Sequence, residues 1–246
     1  MRRLAVLLVL LLAFRGVAAL ADDDCGIDAR YVTPVRPLPA LAAAIAAHQP
    51  VRLLAAGSGA TAGGGSVQAT EAYPVPMLAA LRAALPGTEV TLSVRGGLGM
   101  TATDLLPLIQ TALREAPPTV VVWQTGTVEA IKAMRPDRLR AALEAGLAAT
   151  RAAGADLVLV DPLFSRAVRA NADLEPYEAE LQRVGAMAGS DLFRRFELTR
   201  GWVTAGRIDP ERAPAEARVA VLHRLNRCVG QALALYLLRG AGVTPP

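Results

Sequence analysis

Along the chain, short apolar and β-branched runs alternate with longer stretches whose apolar residues recur every three or four positions. The short runs predict strands at Val51–Ala56, Glu89–Val94, Thr119–Trp123 and Leu157–Val160, with a shorter fifth at Leu192-Phe193. The run at Thr119–Trp123 has no polar face, as expected of a strand covered on both sides. The longer stretches predict helices over Leu38–Ala47, Tyr73–Leu85, Thr101–Arg114, Asp137–Ala153, Leu174–Met187 and Ala215–Leu238. Pro86-Gly87 and Gly154 close two of them. Pro136 opens another, and Thr101 or Thr103 is available to cap the third, with Asp104 in its first turn. Residues Asp22–Val35 are polar and irregular, a strap across the surface. Strands alternating with helices through short loops imply one α/β domain over residues 22–246. The expected form is a three-layer α/β/α sandwich around a parallel sheet of about five strands.

The start of the chain falls outside that pattern. Arg2-Arg3, the apolar Leu4–Leu12 and the small-x-small Ala19-Leu20-Ala21 have the three parts of a secretory signal peptide over residues 1–21. The apolar stretch is shorter than the roughly 20 residues that span a bilayer, so no stable membrane span is expected after cleavage. The mature chain is then periplasmic or secreted. Export changes how the charge reads. The whole chain has 26 basic and 22 acidic groups, but without Arg2, Arg3 and Arg15 the balance is 23 to 22. No basic stripe with interleaved aromatics remains, which argues against nucleic acid as a partner. In an oxidising compartment the two cysteines, Cys25 and Cys228, suggest a disulfide tying the amino-terminal segment to the last helix; the alternative is two buried free thiols. Two cysteines and two distant histidines, His48 and His223, make no metal-ligand spacing, and no cofactor is implied.

Candidate chemistry gathers where the first strand ends. Leu53–Ala56 breaks into Gly57-Ser58-Gly59-Ala60-Thr61-Ala62-Gly63, a tight loop at the edge of an open α/β sheet where ligands bind. Arg95-Gly96-Gly97-Leu98-Gly99 follows the second strand and Trp123-Gln124-Thr125-Gly126-Thr127-Val128 spans the end of the third. The glycine spacing is not a dinucleotide fingerprint. These blocks resemble the SGNH (GDSL-like) hydrolase superfamily, in an exported bacterial branch, and the resemblance covers nearly all of the mature chain. It implies an SGNH/flavodoxin-like fold and ester hydrolysis on acylated sugars or lipids. It also implies a serine nucleophile, oxyanion donors from a glycine and an asparagine, and an Asp-x-x-His base.

Placed on this chain, the resemblance keeps the oxyanion glycine as Gly99 and changes the rest. The nucleophile position is Gly59, with Ser58 one place early. The asparagine position is Val128. Phe193-Arg194-Arg195-Phe196 and Trp202 on one side, and Cys228 on the other, put the aspartate position at Ala217 and the histidine position at Ala220. An acyl-enzyme needs a hydroxyl with a base in reach and donors fixed on the oxyanion. Glycine, valine and two alanines supply none of these, so the expectation is a pseudoenzyme. Its partner would be an acylated glycan, a lipid or an envelope protein. The alternative is an active esterase using a displaced set of Ser58, Gly99 and His223. Ser58, Gly99, Gln124, Thr127 and Asp161 are expected to line the pocket. For Asp161 the plainer reading is an Asx turn opening Asp161-Pro162.

Overall fold

A computed structural model describes residues 25–64 and 68–244. The signal-peptide assignment to residues 1–21 lies outside the described residues. In chain order the elements are α1 (Pro39–Ala46), β1 (Val51–Gly57), α2 (Gly59–Ala62), α3 (Pro74–Ala84), β2 (Val90–Gly96), α4 (Ala102–Glu115), β3 (Val120–Gln124), α5 (Thr127–Ile131), α6 (Pro136–Ala152), β4 (Asp156–Val160), α7 (Arg166–Asn171), α8 (Glu175–Gly185), β5 (Ser190–Phe193), α9 (Arg195–Thr204) and α10 (Arg218–Gly240). The sheet has the order β2-β1-β3-β4-β5 and is parallel throughout. The three-layer α/β/α expectation holds, and the fifth strand is present. Among the described residues no helix is long and apolar enough to cross a membrane.

The apolar run in β3 has the predicted consequence. Val120 and Val122 enter one core with residues of α1, α3 and α10, while Val121 and Trp123 enter the other with α4, α6 and α8. Trp123 needs a gap in the opposing helix. Gly146 of α6 supplies it, since a Cβ there would lie 2.3 Å from the Trp123 ring.

The Asp22–Val35 strap is less irregular than expected in its described part. Asp28 accepts a hydrogen bond from Arg30 N and caps a 3-10 turn at Ala29–Tyr31. Cys25 and Val32 are buried. Cys25 is bonded to Cys228 across 203 residues, so the pair is a disulfide and not two thiols. The last helix starts at Arg218, three residues later than its pattern predicted, because Ala217 N closes a turn onto Pro214 O. Helices α2, α5 and α7, of four to six residues, and the ten-residue α9 were not predicted.

Candidate functional site

The site region is where β1, β2 and β3 end together. β1 and β2 finish on glycines because there is no room for anything else. A Cβ on Gly96, at φ +132°, would meet Gly57 O at 1.8 Å, and one on Gly57 would meet Thr61 Oγ1 at 2.2 Å. From the end of β3, Gln124 reaches across and its Oε1 accepts three hydrogen bonds. These come from Ser58 N (3.3 Å), Ser58 Oγ (3.3 Å) and Thr61 Oγ1 (3.2 Å). Thr61 Oγ1 is also hydrogen-bonded to Tyr73 OH (3.1 Å). Ser58, Thr61, Gln124 and Tyr73 are all buried. Burial pushes the Tyr73 phenol up, so it stays protonated and able to donate.

The expected pocket residues are thus only partly brought together. Ser58 and Gln124 share one polar knot. Gly99 and Thr127 make no hydrogen bond to it among the described residues. Gly99 O instead accepts from Lys132 Nζ (2.8 Å), and Thr127 opens α5. Asp161 is buried at the end of β4, but not as an Asx turn. Its Oδ1 accepts from Phe196 N (2.8 Å), so it caps the start of α9 from a distant part of the chain. Burial drives the Asp161 carboxyl up to about 7, against the Phe196 N–H and the Arg195 charge, which favour ionisation.

The four altered positions have clear surroundings. Gly59 is buried in the first turn of α2, and a Cβ there would lie 2.9 Å from Leu98 Cδ1. Leu98, 73% exposed, therefore leans over the spot where a nucleophile's side chain would begin. Val128 is half-buried in α5, Ala217 is the residue before α10, and Ala220 is exposed on its first turn. Three residues on, His223 Nε2 lies 3.1 Å from Glu71 Oε2. Among the described residues no hydrogen bond joins His223 to Ser58. The Ser58 hydroxyl donates to an amide oxygen, which cannot take up its proton.

Two side chains that shape this edge escaped the sequence reading. Glu129 is buried, and its carboxylate accepts from Ala102 N, Thr125 Oγ1 (2.7 Å) and Gly126 N (2.8 Å). It holds the starts of α4 and α5 together. The local signal was there, an acid three residues after Gly126. The second is Arg195, buried at the first position of α9, which the sequence reading used only to place the last block.

The model of a family described as non-GDSL lipase-like matches residues 24–243. The chain belongs to the non-GDSL lipase-like family. Its fold is that of the SGNH-like superfamily, as solved structures also indicate. TesA is 21% identical over 74% of this chain and 97% of that one, with a TM-score of 0.55. AlinE4, an SGNH-hydrolase family esterase, is 19% identical over 70% of this chain and 89% of its own, with a TM-score of 0.53. LAE5, an alpha/beta hydrolase enzyme from the metagenome of Lake Arreo, Spain, is 19% identical over 79% and 97%, with a TM-score of 0.58. At these identities the likeness is one of fold. No curated protein gives a significant match.

Proposed function

We propose that this member of the non-GDSL lipase-like family is an exported binding module that keeps the hydrolase fold without its ester chemistry. The observation that carries the reading is at Gly59, where the nucleophile position has no side chain and Leu98 leans over it. Val128, Ala217 and Ala220 extend the same pattern to the remaining positions, and the Ser58 hydroxyl is spent on Gln124. A missing oxyanion donor alone costs about 3–4 kcal/mol of transition-state stabilisation, and here the nucleophile and base are lost as well. Export is supported by the signal-like start and by the Cys25–Cys228 bond, which suits an oxidising compartment. The ligand would be an acylated glycan, a lipid or a protein of the cell envelope, by analogy of fold.

One observation favours the rival reading of an active esterase. Glu71 stands against His223 as an orienting acid would. For that pair to act, Ser58 would have to leave Gln124 and present its hydroxyl to the imidazole. Hydrolysis of p-nitrophenyl acetate and butyrate by disulfide-intact protein, beside Ser58→Ala, separates the two. The binding module gives background rates in both proteins. Turnover that disappears in Ser58→Ala would establish the esterase.

A further inference from the structure

Arg195 is 2% exposed, yet only its Nε has a partner, Asp161 O at 3.0 Å. Among the described residues neither Nη makes a hydrogen bond, and no carboxylate forms a salt bridge with the guanidinium. The ring of Tyr73 lies 6.0 Å from Cζ, so an aromatic face flanks the guanidinium. The acid whose charge acts on it, Asp161, has one oxygen on Phe196 N, and burial raises its carboxyl to about 7, so near neutrality it answers the guanidinium charge only in part. A buried cation left in this state is costly unless something else answers its charge. Nor are the terminal nitrogens sealed off, since they are not among the fully enclosed unpartnered atoms of the fold. Tyr73 links this guanidinium to Thr61, and through Thr61 to Gln124 and Ser58.

We propose that Arg195 is an anion-binding residue, its free Nη fork receiving an oxyanion group, carboxylate or phosphate, of the ligand. Guanidinium matches both groups through two parallel N–H···O bonds, which the point charge of lysine cannot reproduce. The assignment rests on the reading of the domain as a binding module, and its test fails separately. Ester turnover would overturn that reading without touching an anion titration, whereas absent anion binding would leave the inactivity intact.

The test titrates the disulfide-intact protein with acetate and with inorganic phosphate at constant ionic strength, read by calorimetry and by thermal shift. A saturable response to either anion is expected, and the anion that saturates identifies the ligand's charged group. Arg195→Lys should weaken that response about tenfold. Asp161→Asn keeps the acceptor for Phe196 N and removes the competing carboxylate, so it should tighten binding. No saturation with either anion, or the same saturation in Arg195→Lys, would overturn the proposal. Should Arg195→Lys fail to fold, the Asp161→Asn comparison decides, and unchanged affinity there would overturn it.

Discussion

Replacing Asp161 by asparagine tests how the end of β4 is held. In the unfolded chain this carboxyl loses its proton near the ordinary 3.8, and in the folded protein near 7. Between those values the folded state holds the proton and the unfolded state does not, so stability falls as pH rises. The stabilisation is complete below about pH 4 and gone above about pH 7. A rise from 3.8 to about 7 corresponds to about 4 kcal/mol in total, an upper figure for a buried group. Of this, about 2.5 kcal/mol is lost between pH 5 and pH 8. Asparagine keeps the oxygen that accepts from Phe196 N but has no proton to lose. It also removes the field that Arg195 and Glu178 exert on an ionised carboxylate. Urea unfolding of both proteins at pH 5, 6, 7 and 8 therefore gives a stability gap in favour of Asp161→Asn. The gap should widen by about 2.5 kcal/mol across the series. Glu178, also raised by burial, titrates in both proteins and largely cancels in the difference. A gap that stays constant or narrows with pH would refute the assignment of that proton to Asp161.

Three further outcomes follow from the same contacts. Paired Cys25→Ser and Cys228→Ser substitutions open a loop of 203 residues and should cost about 5 kcal/mol on the chain-entropy account, measured by denaturant unfolding. Glu129→Ala leaves Ala102 N, Thr125 Oγ1 and Gly126 N without their acceptor and should cost about 3–5 kcal/mol, seen as a lowered Tm. Gly59→Ser should cost about 1 kcal/mol or less, because Leu98 is exposed and can swing aside, and should still yield no ester hydrolysis.

What could be read from the sequence was whatever depends on periodicity. All five strands and six helices (α1, α3, α4, α6, α8 and α10) follow from apolar spacing, and β3 is covered on both faces as its unbroken run implied. The other helices were hidden because their stability comes from elsewhere. Helix α9 starts on the carboxylate of Asp161, 35 positions earlier in the chain, and nothing beside Arg195 announces it. Helix α2 begins at Gly59, where glycine reads as a turn, and its Thr61 hydroxyl is held by Gln124 and Tyr73 from distant parts of the chain. Among site residues, Ser58 and Gln124 come together, since each ends or follows a strand at the same edge. The chemistry of Asp161 was misassigned because its partner is distant in sequence. Glu129 was legible in principle, as a capping acid, but its reach to Ala102 of α4 was not.

The most direct measurement is intact-mass spectrometry of the disulfide-bonded protein after incubation with a fluorophosphonate, which labels activated serines irrespective of ester preference. The account predicts an unchanged mass. A phosphonyl adduct mapped to Ser58 would contradict it, showing that a hydroxyl bound to Gln124 in the resting structure is nonetheless a nucleophile.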